Sequence, residues 1–174
     1  MFKMDQSNDK TLILNNNINE IEELDLCNFE TIIIKDCDLS IKNLRKLIKK
    51  LLQSNVLKKL NLSGNKFGDK SCIIIGSLLF TNKTLENLDI SDCNITKYGF
   101  IEILIKLISD KTLKLFNADI CKYPVTKYEF IEILIKLIDN TTLKSINISN
   151  NPIEDIDKLK ESSINFSKIE FIIK

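Results

Sequence analysis

One pattern constrains the fold of this chain more than any other: a short apolar and polar motif returns at a nearly constant interval. Each copy has apolar residues at its first, fourth and sixth positions, Asn or Cys at the ninth, and a further apolar residue at the eleventh. The copies begin at Phe29, Leu57, Leu85, Leu113 and Leu143, so successive starts lie 28, 28, 28 and 30 residues apart. Random apolar patterning does not hold such a register, and we therefore expect a stack of repeated units.

The segments between the copies have the spacing of amphipathic helices. Ser40 precedes apolar residues at intervals of three and four over 41–52, and it is a predicted N-cap. Asp69 and Thr96 are predicted to cap the next two helices in the same way. A period of about 28 residues leaves room for a full helix between successive strands.

Two helical segments are almost identical in sequence. Residues 96–108 and residues 126–138 differ only in Gly99 against Glu129. This identity indicates a recent duplication of one unit, and it predicts a helix over 126–138. One helix sequence can serve two levels because each unit of a solenoid contacts only its neighbours.

These motifs resemble the leucine-rich repeat, L-x-x-L-x-L-x-x-N/C-x-L. The alternation of Cys-type and Asn-type copies is similar to the ribonuclease-inhibitor-like subclass, which includes tropomodulin and the Ran GTPase-activating proteins. The resemblance implies an α/β fold, a right-handed α/β horseshoe. In such a leucine-rich-repeat solenoid a parallel β-sheet lines the concave face and α-helices cover the convex face. It specifies the fold better than the function, because the subclass offers surfaces for many different proteins.

We expect a single leucine-rich-repeat domain over residues 1–174, which is long enough for a substantial core. Residues 1–28 would form an N-terminal cap or partial repeat. Residues 29–153 hold the five repeats, and residues 154–174 would form a C-terminal cap.

The two caps depart from the repeat pattern. In the first, we predict a strand over 12–14, with Asn17 at the Asn position, and a second strand over 21–26. In the second, a short helix over 155–161 precedes a last strand over 166–173.

The ninth position of the repeat predicts a structural role for asparagine and cysteine. Asn there can bond the backbone of adjacent turns, and Cys is a small side chain that also fits. The column comprises Cys37, Asn65, Cys93, Cys121 and Asn151. The chain has five dispersed cysteines and no histidine, so we expect no metal site and no cofactor.

The side chains between the core positions of each strand would stack into columns on the concave face. We expect nine of them to contact a partner: Asp36, Lys59, Asn61, Asn87, Asp89, Asp92, Asn117, Asp119 and Asn147. Aspartates give one edge of this face an acidic character, and lysines give the other a basic one. Large aromatic anchors are absent from the columns, which favours a modest affinity or contacts elsewhere. The alternative interpretation is an ordinary solvated sheet surface.

Composition narrows the class of function. With 25 basic and 24 acidic residues, the net charge of +1 gives no reason to expect a nucleic-acid or membrane partner. The missing histidine and the four scattered glycines disfavour an enzyme, so we expect no small-molecule substrate.

We therefore predict a non-catalytic protein-interaction scaffold that binds a protein partner through the concave face. The alternatives are a structural subunit of a cytoskeletal or organelle complex, or a GTPase-activating protein. The lone Arg45 lies in a predicted helix, which disfavours the latter. The polar first ten residues do not resemble a secretory signal, which predicts a cytoplasmic location.

Overall fold

A computed structural model describes residues 10–14, 21, 24–118, 132–133, 135–137, 140, 142–149 and 169–172. Within these residues the strands are β1 (Thr11–Leu14), β2 (Thr31–Ile34), β3 (Lys59–Asn61), β4 (Asn87–Asp89), β5 (Leu115–Asn117), β6 (Ser145–Asn147) and β7 (Glu170–Ile172). The helices are α1 (Ile41–Leu51), α2 (Lys70–Thr81) and α3 (Lys97–Ser109).

The described strands form one parallel sheet in which each strand pairs with the next along the chain. Thr31, Lys59, Asn87, Leu115 and Ser145 are register partners from β2 to β6. These are the third residues of the five repeat copies, so the interval of the sequence motif sets the register of the sheet. The predicted α/β horseshoe is confirmed.

The core lies between the sheet and the helices. The fourth and sixth residues of each repeat are buried, as in the pair Leu60 and Leu62 and the pair Leu88 and Ile90. Leu44 and Leu47 of α1 meet this layer from the helix side, and both are fully buried. A single repeat cannot bury its apolar side, and the neighbouring repeats complete the core.

All three predicted residues hold the N-cap position of their helix, and two of them make the capping hydrogen bond. The Ser40 hydroxyl accepts a 3.2 Å hydrogen bond from the N–H of Asn43, and Thr96 caps α3 in the same manner. Asp69 holds the predicted N-cap position of α2, but its side chain makes no capping bond to that helix. Its carboxylate instead accepts a 2.6 Å hydrogen bond from the N–H of Thr96, one repeat later. The charge-assisted bond to the neighbouring repeat replaces the local cap.

Asn65 confirms the structural role predicted for the ninth position. It is fully buried, and its Oδ1 accepts 3.1 Å hydrogen bonds from the N–H groups of Cys37 and Leu39. Its Nδ2 donates to the main-chain oxygens of Ile34 at 2.6 Å and Leu62 at 2.8 Å. One side chain thus satisfies main-chain groups of two successive repeats.

Cysteine fills the same position in the adjacent repeats. The Cys93 thiol donates to the main-chain oxygen of Leu62 at 3.3 Å, and the Cys37 thiol donates to that of Leu14 at 3.0 Å. Both thiols are buried, which is the structural role that the sequence predicts. The two other members of the column, Cys121 and Asn151, lie outside the described residues.

The N-terminal cap differs from the prediction. β1 pairs directly with β2, and the predicted strand over 21–26 is wrong in its described residues, since none of them is in a strand. Parallel neighbours need a crossover between them, and this segment is part of that crossover. Ile21 and Leu26 are buried there. The position of Asn17 lies outside the described residues.

The C-terminal prediction is confirmed where the structure describes it. β7 lies within the predicted last strand, and residues 132–133 and 135–137 are helical within the predicted helix over 126–138. The predicted short helix over 155–161 lies outside the described residues. Among the residues with described positions, no helix has both the length and the apolar character that crossing a bilayer requires.

Candidate partner-binding face

The outward side chains of the strands line a groove on the exposed side of the sheet. Its volume is about 390 Å³, and it extends from β2 to β7. Of the nine predicted site residues, the groove brings together Lys59, Asn61, Asn87, Asp89, Asn117 and Asn147. The parallel register accounts for this, because it places equivalent residues of successive repeats side by side.

Local turns fix the polar groups on the groove. The Oδ1 of Asn61 accepts from the N–H of Ser63 at 2.9 Å and from its hydroxyl at 2.7 Å. The Oδ1 of Asp89 accepts the same two bonds from Ser91, at 3.0 and 2.7 Å. Such turns, in which Asn or Asp bonds the backbone two residues on, leave little rotamer freedom to lose on binding.

A hydrogen bond also links the repeats across the groove. The Nδ2 of Asn61 donates to the Oδ2 of Asp89 at 3.2 Å, so both carboxylate oxygens of Asp89 have partners. Lys59 is exposed on the neighbouring column. The groove therefore offers a fixed negative group and an exposed positive one side by side.

Asn117 and Asn147 continue the same column. The Oδ1 of Asn147 accepts from the N–H of Ser149 at 3.0 Å. The equivalent oxygen of Asn117 is buried and has no hydrogen-bond partner among the described residues. By analogy with Asn147, the donor to this oxygen would be the N–H two residues later, that of residue 119, which lies outside the described residues.

Leu115 is an apolar side chain in a column that is otherwise polar. It is 44% exposed, and its register partners are Asn87 and Ser145. The sequence analysis missed it as a site residue, although the column of equivalent positions contains the signal. It gives the middle of the groove an apolar contact point with polar groups around it.

Asp36 and Asp92 lie at the edge of this face and do not line the groove. Both follow a strand and have left-handed backbone angles, with φ of 52° and 50°. Gly64 holds the same position in the intervening repeat, with φ of 74°. The two carboxylates are exposed turn residues at the rim. The remaining predicted site residue, Asp119, lies outside the described residues.

The opposite edge, where the strands begin, carries paired charges. Lys58 contacts Glu30 at 2.7 Å, and Lys114 contacts Glu86 at 2.6 Å. The hydrogen bond from Lys58, with a second one from Lys10, lowers the pKa of Glu30, and the bond to Glu30 raises the pKa of Lys58. The hydrogen bond from Lys114 lowers the pKa of Glu86. These ion pairs offset much of the basic character predicted for this edge.

The buried cysteines do not supply reactive groups to this face. Burial raises the pKa of the Cys72 thiol and of the Cys93 thiol to about 12, so both are protonated at neutral pH. Across the described ranges, no group of three or more His, Cys, Asp or Glu residues is placed to hold a metal ion.

Comparison with known proteins agrees with this geometry. A family model described as Leucine Rich repeat matches residues 53–74, 81–103 and 139–156. Repeat motif, sheet register and helix placement together define a leucine-rich-repeat α/β solenoid.

A solved structure titled Leiomodin-1 Actin-Binding Site 2 is similar in fold. The TM-score is 0.62 at 22% sequence identity, and the match covers 69% of this chain and 70% of that chain. Among curated proteins, no sequence matches this chain.

Proposed function

We propose that this chain is a non-catalytic scaffold, built as one domain, that binds a protein partner through the concave face. The observation that carries the proposal is the groove itself, in which an exposed Leu115 lies among polar groups that local turns hold in place. An apolar centre with a polar surround is the usual anatomy of a protein interface. The contact set comprises Leu115 and the nine residues predicted from the sequence.

The fixed polar groups favour binding by lowering its entropic cost. Asn61 and Asp89 already have their rotamers set by bonds to Ser63 and Ser91, so a partner does not have to order them. Asp89 then contributes charge complementarity to a basic group on the partner. Burial of Leu115 supplies the apolar contribution, which we expect to dominate the affinity.

We further infer that the repeats are of the ribonuclease-inhibitor-like subclass. The 28-residue interval and the alternation of Cys93 with Asn65 support this assignment. A cytoplasmic location is part of the same proposal. The free thiols of Cys27, Cys37, Cys72 and Cys93 support it, because reduced cysteines are typical of that compartment.

A cytoskeletal role is the second candidate, and one observation favours it. The fold is similar to that of a leiomodin fragment whose title names an actin-binding site. Actin is therefore the first partner to test, both as monomer and as filament.

The decisive test compares two matched substitutions on opposite faces. Leu115→Asp places a charge in the groove, whereas Ile105→Asp does the same on α3, where exposure is nearly equal at 45%. We expect Leu115→Asp to weaken binding to actin, or to another purified partner, by about tenfold or more, since a buried charge is costly. Ile105→Asp should bind as the unmodified chain does. Equal binding by both variants, or turnover of a substrate by the purified chain, would contradict the proposal.

A further inference from the structure

The even charge balance of the whole chain conceals a strong local separation. Helices α1 and α2 together contain six basic residues and no acidic one. The six are Lys42, Arg45, Lys46, Lys49, Lys50 and Lys70. Net charge is an average over the molecule, and an interacting surface responds to the local charge.

The exposed basic residues of α1 form one stripe along the outer side of the helix. Lys42, Arg45 and Lys49 are exposed, at intervals of three and four residues that place them on one face. Leu44 and Leu51 lie on the buried face of the same helix. The stripe therefore points away from the sheet.

Helix α2 carries an apolar stripe in the equivalent place. Ile73 is 67% exposed and Phe80 is 77% exposed. They lie seven residues apart, which is two turns and about 10.5 Å along one face. The opposite face, with Ile75 and Leu79, is fully buried in the core. Lys70 and Ser77 share the outer face with them, so this face combines a basic group with two large exposed apolar side chains, and exposed groups of that size favour an interaction site.

The repeat interval aligns the two stripes. Arg45 and Ile73 are 28 residues apart, as are Lys49 and Ser77, so they occupy equivalent positions on adjacent helices. Helices that pack side by side lie about 8–10 Å apart, so the basic stripe runs directly beside the apolar one. On α3, Tyr98 adds a further exposed ring near the start of the helix, with 70% of its area exposed.

We propose that this convex surface of α1, α2 and α3 docks onto an anionic lipid bilayer. The side chains of Ile73 and Phe80 enter the boundary between headgroups and acyl chains. The stripe of Lys42, Arg45 and Lys49 lies on the acidic headgroups. Two contributions sustain peripheral membrane binding: apolar side chains penetrate the bilayer, and clustered Lys and Arg residues are attracted to acidic headgroups.

The shape of the surface favours a bilayer over an acidic protein segment. Ile73 and Phe80 project from the helix with most of their area exposed. A fluid bilayer accommodates projecting groups without a preformed slot. The basic stripe contains no acidic residue, so it presents a single sign of charge to the acidic headgroups.

The chain contains no tryptophan, so a single introduced tryptophan reports its own surroundings. Phe80→Trp places the probe on the convex stripe, and Leu115→Trp places it in the concave groove. We mix each full-length variant with phosphatidylcholine vesicles that contain or lack phosphatidylserine. The expected result is a blue shift of tryptophan emission for the convex variant with the anionic vesicles only, and no shift for the groove variant. A shift for the groove variant alone, or no shift for either, would overturn the proposal.

Vesicle sedimentation with matched variants tests the chemistry. Two variants should each weaken binding by about tenfold or more. One combines Ile73→Ser with Phe80→Ser, and the other combines Lys42→Glu, Arg45→Glu and Lys49→Glu. The control variant makes the same change of net charge at exposed sites elsewhere, and it should retain binding. It combines Lys66→Glu, Lys111→Glu and Lys144→Glu. Raising the salt from about 0.1 M to about 0.5 M should weaken binding of the unmodified chain.

Circular dichroism of each variant verifies that the fold is retained. Loss of binding in the charge control as well would mean non-specific attraction and would reject the convex stripe as the site. The proposal also fails if the unmodified chain does not bind anionic vesicles while the Ile73 and Phe80 double variant no longer binds a purified protein partner. The surface would then be a protein interface.

Discussion

The side-chain amide of Asn140 donates a 2.8 Å hydrogen bond to the main-chain oxygen of Asp110, which holds the same position one repeat earlier. The side-chain oxygens of Asn140 and Asp110 each accept a hydrogen bond from the N–H of the residue three positions later. Asn82, two repeats before Asn140, makes the same bond. Asn82 also donates to the main-chain oxygen of Ser54, at 2.9 Å. Asp110 is the exception in this buried column, because a carboxylate accepts hydrogen bonds and does not donate them.

We therefore expect Asp110→Asn to stabilise the fold. The new amide would donate to the oxygens of Leu79 and Asn82, which correspond to the acceptors that Asn140 uses. The free energy of unfolding in urea should rise by about 1 kcal/mol. Asn140→Asp makes the reverse exchange and should lower it by about 1–3 kcal/mol. A fall in stability for Asp110→Asn would show that the carboxylate has a role of its own.

Gly99 is required by the residue that packs against it. A β-carbon at this position would lie 2.5 Å from the Oδ1 of Asp69 and 2.9 Å from its Cα. Gly99→Ala should therefore destabilise the chain by about 1–3 kcal/mol, measured by thermal or denaturant unfolding. Gly76→Ala is the matched helical control. Its β-carbon would meet the Cγ of Lys106 at 3.0 Å, a contact that a small shift of this side chain relieves, so the change in stability should stay below about 0.5 kcal/mol. Equal losses in both variants would contradict this account.

Asn65 should be among the most sensitive polar positions. Asn65→Ala leaves the N–H groups of Cys37 and Leu39 without the acceptor that they now share. Each buried donor without a partner costs about 1–3 kcal/mol, so unfolding in urea should require about 3 kcal/mol less. Asn55→Ala removes an exposed asparagine and should change stability by less than about 0.5 kcal/mol. A small effect at Asn65 would mean that water or a backbone shift replaces its bonds.

The buried thiols predict a loss of stability at alkaline pH. Burial raises the pKa values of Cys72 and Cys93 in the folded chain to about 12, from an ordinary value of 9.0. Between these values only the unfolded chain loses the protons, so the free energy of unfolding falls as the pH rises above about 9. The loss should reach about 1 kcal/mol per thiol near pH 10. Urea titrations at about pH 8 and about pH 10 measure it, and replacing both cysteines with alanine should flatten the dependence. An unchanged slope in that variant would assign the effect to other groups.

Much of the fold follows from the sequence because one interval determines it. Leu60 and Leu88 are buried at equivalent levels, and their neighbours Lys59 and Asn87 are register partners, as the 28-residue spacing requires. The same interval recurs along the chain because the apolar layer of each repeat is completed by the next repeat. Six of the nine predicted site residues consequently lie together on one groove.

The sequence pattern is less informative about contacts between repeats. The Asp69 carboxylate accepts a hydrogen bond from the N–H of Thr96 in place of a local capping bond, and the preference of Asp for N-cap positions does not reveal a competing donor one repeat away. The importance of Leu115 depends on its exposure, which the motif does not encode. The segregation of charge on α1 and α2 is hidden in the balanced total, because composition carries no positions.

The constant register has a consequence for how such a chain can change over time. Since each strand bonds only to the one before and the one after, a unit can be copied without disturbing contacts two levels away. The near-identical segments 96–108 and 126–138 are the trace of one such copying event. The area available for recognition can therefore lengthen in whole steps, while substitutions at outward positions alter its chemistry independently.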